Sequence, residues 1–254
     1  MFARLLAGDD LDAMQAPLRA RGLLPSGPPG RRALAEIAGE VTPYVAPYAQ
    51  WRGATAADTL PLEVEIDGLR LHGRIADAWP QGIARLRFGA PNGPSMLRNG
   101  LDWLLARAAG VELPFVEFHD IEGDIGPYTR NALSRDDAIE ALRALLALRR
   151  EGLQQPLPFA PYSGWELFSA KTVNAGIGNA AKKWRGNGNG GWAEGSADTL
   201  RLALRGRDPF DSTEALRGFA RVTGIVFGAA TCGLPASIDI DDVALPDDDA
   251  EDAA

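Results

Sequence analysis

The segment from Leu62 to Gly89, LEVEIDGLRLHGRIADAWPQGIARLRFG, constrains this chain most, because its periodicity reads as three consecutive strands. Leu62, Val64 and Ile66 alternate with polar residues and stop at Asp67-Gly68, a two-residue hairpin signal. Leu69, Leu71, Gly73 and Ile75 continue at period two until Pro80-Gln81-Gly82 makes the next turn. Ile83, Leu86 and Phe88 form a third run that ends at Gly89.

Helices flank this meander. Leu11 to Leu23 has helical character. Pro25-Ser26-Gly27-Pro28-Pro29-Gly30 is predicted to be an obligate loop, since three prolines and two glycines in six residues leave no room for a helix. A helix over Arg32 to Val41 follows, weakened or kinked by Pro43 and Pro47. After the strands, Pro94-Ser95 opens an amphipathic helix with Leu97, Leu101, Leu104, Leu105 and Ala108 on one face, stopped by Gly110. Val111 to Phe118 is a fourth strand candidate. Ser134 to Asp137 reads as a capping box, with Ile139, Leu142, Leu145 and Leu146 as the stripe of the helix it starts. A rigid aromatic loop, PLPFAPYSGW, leads into helical Glu166 to Lys183, and Asp211 to Glu214 caps a last helix reaching about Thr231. The order α-β-β-β-α-β, then helices, predicts an α/β core with a helical C-terminal extension.

At 254 residues the chain suffices for one large domain or two small ones. The longest apolar runs, near Leu101 to Ala109 and Leu142 to Leu148, are too short and too charged to cross a bilayer, and MFARLLAGDDLDAM lacks a secretory signal's apolar core. A single cysteine, Cys232, excludes an internal disulfide and fits a reducing cytoplasm; it is expected as a small buried residue of the last helix. The net charge of −8 argues against indiscriminate nucleic-acid binding. The segment DIDDVALPDDDAEDAA from Asp239 holds eight acids and no base, so the rest of the chain is close to neutral; this segment reads as a disordered, solvated tail.

The strand-helix order resembles the restriction-endonuclease-like (PD-(D/E)XK) nucleases. Those enzymes place one acid late in the second strand and an acid-x-Lys triplet in the third, which together hold a divalent metal and orient the attacking water. Here Gly73-Arg74-Ile75-Ala76 resembles the first motif, with Ala76 in place of the carboxylate. Arg87-Phe88-Gly89 resembles the second, with Arg87 for the acid and Gly89 for the lysine. Asp77 is the nearest acid, one residue on, where period two turns it to the opposite face. The resemblance therefore implies a catalytically degenerate core with no catalytic residue, metal or cofactor.

Five further stretches resemble, in order, the C-terminal nuclease-like domain of RecC, the gamma subunit of bacterial exodeoxyribonuclease V. They are RGLLPSGPPG, DGLRLHGRI, LRNGLDWLLARAAG, QQPLPFAPYSGWELF, and KKWRGN with LALRGRDPF. The family's large helicase-like N-terminal part is absent, implying a fragment or a shortened gene product. On this resemblance residues 1–30 are a lead-in helix and loop, 31–235 the degenerate nuclease-like domain with its extension from about 134, and 236–254 the acidic tail. It implies a non-catalytic subunit of an ATP-dependent helicase–nuclease acting in double-strand break repair by homologous recombination. Its partners would be RecB-like and RecD-like subunits, duplex DNA ends and single-stranded DNA, with no membrane.

Two groups of side chains are candidates for DNA or partner contact. Arg70, Arg74, Arg85 and Arg87 alternate along adjacent strands; Lys171, Lys182, Lys183, Trp184 and Arg185 form a second basic patch with an aromatic. Phe159, Tyr162 and Trp165 are candidates for an interface or for core packing. The loop Glu117 to Asp124, with His119, has neither calcium-loop nor zinc spacing and reads as a polar turn. His72 lacks a recognisable nucleophile partner. The Gly-Asn run from Gly186 to Gly191 lacks a phosphate loop's ending and reads as surface. Two alternatives stay open: an active metal-dependent nuclease with acids moved to Asp77 or to the Glu117–Asp124 loop, and a protein-interaction module without DNA binding.

Overall fold

The computed structural model describes residues 1–186 and 192–241. Most of the tail, 242–254, and most of the Gly-Asn run, 187–191, therefore lie outside the described residues. The meander comprises β1 (Asp58–Ile66), β2 (Leu69–Trp79) and β3 (Gly82–Leu86). Leu62, Val64 and Ile66 are buried while Glu63 and Glu65 are exposed, as alternation requires. Asp67 and Gly68 both have positive φ, 51° and 76°, the backbone of a tight type I′ hairpin turn. Between β2 and β3, Trp79 faces Gly82 across Pro80-Gln81.

β4 (Phe115–Phe118) runs parallel to β3, with Ile83 opposite Phe115 and Leu86 opposite Phe118. A parallel join needs a crossover, and α5 (Gly93–Ala108) lies in that connection. β5 (Tyr128–Thr129), not expected from the sequence, pairs antiparallel with β4 and completes a sheet of order β1-β2-β3-β4-β5. The third strand ends at Leu86 rather than Gly89, and the fourth spans only Phe115–Phe118. Pro114, which has no N–H to give a ladder, instead offers its carbonyl to the Ile83 amide at 2.8 Å.

The chain forms two compact units that interleave along the sequence, and β1 and β2 each pass through both. The first unit takes Met1–Leu60, Arg74–Pro91 and Leu113–Arg130. It contains α1 (Phe2–Leu6), α2 (Leu11–Ala20), α3 (Pro28–Val41), a 3-10 turn (Thr42–Tyr44) and α4 (Val45–Arg52). The prolines expected to exclude a helix begin one. Pro28 and Pro29 occupy the first turn of α3, where a missing N–H costs nothing, and Gly30 lets that turn sit against the Pro25 carbonyl, 2.0 Å from where a Cβ would stand. The expected division near residue 30 thus falls inside this helix. Aromatic rings fill the unit's core: Tyr48 meets Phe2 at 5.2 Å and Trp79 at 5.9 Å edge-on, and Trp51 meets Trp79 at 5.4 Å.

The second unit takes Pro61–Gly73, Asn92–Glu112 and the chain from Asn131. It holds α5, α6 (Arg135–Gly152), α7 (Pro161–Ser169), α8 (Val173–Arg185), a 3-10 turn (Glu194–Ser196), α9 (Asp198–Leu204) and α10 (Thr213–Cys232). Ser134 and Ser212 cap α6 and α10 as expected, accepting from the Asp137 and Ala215 amides at 3.0 and 3.2 Å. The single helix expected over Glu166 to Lys183 is two, because Ala170 turns extended and Thr172 caps a new start. Leu101 is exposed, since Gly100, Trp103 and Leu104 take the buried side of α5. Cys232, expected buried, is exposed as the last residue of α10. The first residues of the acidic segment turn back onto α10: the Ala236 amide donates to the Gly224 carbonyl at 3.1 Å, and Ile240 is buried in the core with Phe219 and Phe210. A disordered tail therefore does not begin at 236. Among the described residues no helix is long and apolar enough to cross a membrane.

Candidate functional site

Two carboxylates on the sheet, Asp77 of β2 and Glu117 of β4, each lie against an arginine. Ala76 and Asp77 are both exposed between buried Ile75 and Ala78, so the inward alternation of β2 slips by one residue, as at a bulge. Asp77 Oδ2 lies 3.4 Å from Arg85 Nη1, and that guanidinium, only 14% exposed, also donates to the Ala84 carbonyl and lies 5.8 Å from the Phe115 ring centre. Arg130 lies against the same ring at 5.6 Å and grips Glu117 through two hydrogen bonds.

Arg87 and Gly89 lie past the end of β3. The Arg87 amide donates to the Phe118 carbonyl at 2.9 Å, and its Nε donates to the Ala90 carbonyl at 2.7 Å, so the side chain serves its own turn. Gly89 donates its amide to the Tyr44 hydroxyl at 2.7 Å and accepts from the Asp120 amide at 3.1 Å. In the acidic loop, Asp120 accepts from the Gly123 amide and Asp124 from the Gly126 amide, so one oxygen of each carboxylate closes a local turn. Among the described residues no three His, Cys, Asp or Glu side chains converge as a metal site would require.

Titratable groups here are displaced from their ordinary values. Burial, helped by the Arg130 and Arg87 charges and opposed by Glu117, lowers the pKa of His119, which stacks on Tyr128 at 4.7 Å. Burial, with the Asp77 charge adding to it, pushes the Tyr48 hydroxyl up to about 12.

The arginines of the expected row have different local partners. Arg70 is exposed and 3.4 Å from Glu63, whose other oxygen lies 3.6 Å from His72 Nδ1. Arg74 is exposed, whereas Arg85 and Arg87 are held as described above. In the second unit Lys171 and Lys182 are exposed. Arg185 is committed to Asp208 at 2.9 Å and Asp211 at 3.4 Å. Trp184, expected as the aromatic of this patch, is buried in the core beside Phe210. Phe159 and Trp165 are half-buried and pack on Phe227, with ring centres 5.9 and 5.4 Å away.

The exposed indole belongs to Trp192, which sequence reasoning missed. It is 56% exposed, and its ring meets Tyr162 edge-on at 5.1 Å and 76°. Lys183 Nζ lies 5.5 Å from the Tyr162 ring and 5.6 Å from that of Trp192. Glu194, also missed, holds this arrangement. Its carboxylate is buried at the start of α7 and accepts from the Tyr162 amide at 2.9 Å, the Ser163 amide at 2.6 Å and the Ser163 hydroxyl at 2.7 Å. It supplies the acceptor that Ala160, the helix's own cap residue, lacks. A carboxylate thirty-one residues downstream of Ser163 carries no local capping signal.

No curated protein matches the chain. A family model described as the RecC C-terminal domain matches residues 1–172, that is 172 of the 254 residues, and covers the whole first unit and the second as far as the break after α7. The chain accordingly belongs to the RecC C-terminal domain family.

Proposed function

We propose that this chain is a catalytically silent, nuclease-like domain of a RecC-like subunit, working in a RecBCD-type complex in DNA repair and recombination. On this reading it contacts DNA ends and docks RecB-like and RecD-like subunits, while ATP use and strand cleavage belong to those partners. The family match supports the assignment to RecC. The strand order β1-β2-β3-β4-β5, with β3 and β4 parallel and α5 between them, supports the restriction-endonuclease-like core.

One observation carries the silent reading. Where a metal site would need converging acids, Ala76 and Gly89 bring none, Asp77 faces Arg85, and Glu117 is locked to Arg130. Both oxygens of Glu117 are taken by Arg130 and its charge is answered, which makes it a poor ligand for magnesium, while Asp77 stands as a single exposed carboxylate beside a guanidinium. Pure protein incubated with magnesium and linear DNA is expected to leave the DNA intact. Cleavage that disappears on Asp77→Ala would establish an active nuclease instead. Gel shifts with forked DNA test the contact role: Arg74→Ala and Lys183→Ala are expected to weaken binding, and unchanged shifts remove it. Capture of RecB-like or RecD-like subunits without measurable DNA affinity would leave only the docking role.

A further inference from the structure

We infer that Trp192, Tyr162 and Lys183 form a stacking platform for an unpaired base of single-stranded DNA, with Lys183 meeting the adjoining phosphate. The inference rests on the DNA-contact reading above and gives that contact a place and a chemistry.

The indole of Trp192 is more than half exposed, yet its plane is set: Tyr162 abuts it edge-on at 76°, leaving ring surface open to solvent. An exposed tryptophan with no support would collapse onto neighbouring apolar surface; this one stands on a buried anchor. Glu194, two residues further on and 2% exposed, is pinned by three hydrogen bonds to the first turn of α7, which also carries Tyr162. The two aromatic residues thus share one rigid base, and ordering them costs little when a ligand arrives.

Charge selects the ligand. The Lys183 ammonium lies within 6 Å of both rings, a cation-π position, and keeps hydrogen-bond donors for an anion. The chain has only three lysines, and all of them, Lys171, Lys182 and Lys183, fall between residues 171 and 183. An aromatic face beside a cation matches the alternation of base and phosphate along a nucleic-acid strand. Paired bases keep their faces inside the duplex stack, so only an unpaired base can use the indole.

The test measures binding of the full chain to three labelled ligands by fluorescence anisotropy: a short thymidine oligomer, an abasic deoxyribose-phosphate oligomer of equal length, and a blunt duplex. Trp192→Ala is expected to weaken the thymidine oligomer about tenfold and leave the abasic oligomer unchanged, while Trp192→Phe restores most of the loss. Lys183→Gln is expected to weaken both oligomers and reduce the salt slope by about one. Acetylation of Lys183 by an amine reagent should be blocked by saturating thymidine oligomer, a clean readout with so few lysines. Trp192→Ala that binds all three ligands like the parent chain, or weakens all three equally, overturns the platform while the DNA-contact reading stands. A parent chain that binds none of the three overturns both.

Discussion

Arg130 holds Glu117 through two hydrogen bonds, Nε to Oε2 at 2.8 Å and Nη2 to Oε1 at 3.2 Å, with both side chains less than a tenth exposed. The fork geometry satisfies both oxygens of a carboxylate that burial would otherwise penalise heavily. Removing one partner strands the other charge. Glu117→Ala or Arg130→Met is expected to lower unfolding stability by about 3–5 kcal/mol in urea titration, and Glu117→Leu with Arg130→Met to recover most of that. A double variant no more stable than either single one would show that the pair is worth more than its own desolvation.

His119 makes stability depend on pH. Its folded pKa lies below the ordinary 6.5, so the unfolded chain binds the proton more tightly. The stabilisation is complete above about 6.5, where the unfolded imidazole is neutral, and is lost as pH falls below that value towards the folded pKa. His119→Phe keeps a ring to stack on Tyr128 and has no proton to bind. Thermal melts from neutral pH down to about 5 should show a shallower decline for this variant than for the parent; parallel declines would assign the slope to other groups.

Tyr48 predicts an effect at the opposite end of the scale. Its pKa of about 12 exceeds the ordinary 10, so the stabilisation is present below pH 10 and lost as pH rises from 10 through 12. Phenolate absorbance should therefore contain a late component near pH 12 that Tyr48→Phe deletes.

Gly100 lets α5 and α10 approach backbone to backbone. A Cβ there would stand 2.2 Å from the Ala230 carbonyl oxygen, a rigid atom that cannot swing away. Gly100→Ala is expected to cost about 1–3 kcal/mol by overpacking, despite alanine's better helix propensity. An unchanged or raised melting temperature would mean that the two helices separate freely.

Glu194 replaces a helix cap from a distance. Glu194→Ala leaves two amides and a hydroxyl at the start of α7 without their acceptor and is expected to cost about 3 kcal/mol. Glu194→Gln, which keeps one acceptor oxygen, should cost less. Urea titration compares the two, and equal losses would show that the charge at the helix start matters more than the hydrogen bonds.

Local chemistry made much of the architecture legible. Asp67-Gly68 has the positive-φ backbone its residue types favour, and Ser134 and Ser212 cap the helices they precede. The short β5, α9 and the split between α7 and α8 were not legible, because their segments carry weak periodicity and their ends are set by neighbours. The candidate site was less legible still. Trp184 and Trp192 both sit near lysines in the sequence, yet one is buried with Phe210 and the other is exposed beside Tyr162.

What residues alone could dictate was the meander, its turns, the capped helices and the family, since hydrophobic period and turn chemistry act over a few neighbours. Folding in three dimensions settled the pairings that give those elements meaning: Asp77 with Arg85, Glu117 with Arg130, and Glu194 with the start of α7. Each joins residues on different elements, at a distance set by a bulge, a strand register or helix packing. No local propensity carries that information, because it is the burial of the whole core that chooses which charged groups meet.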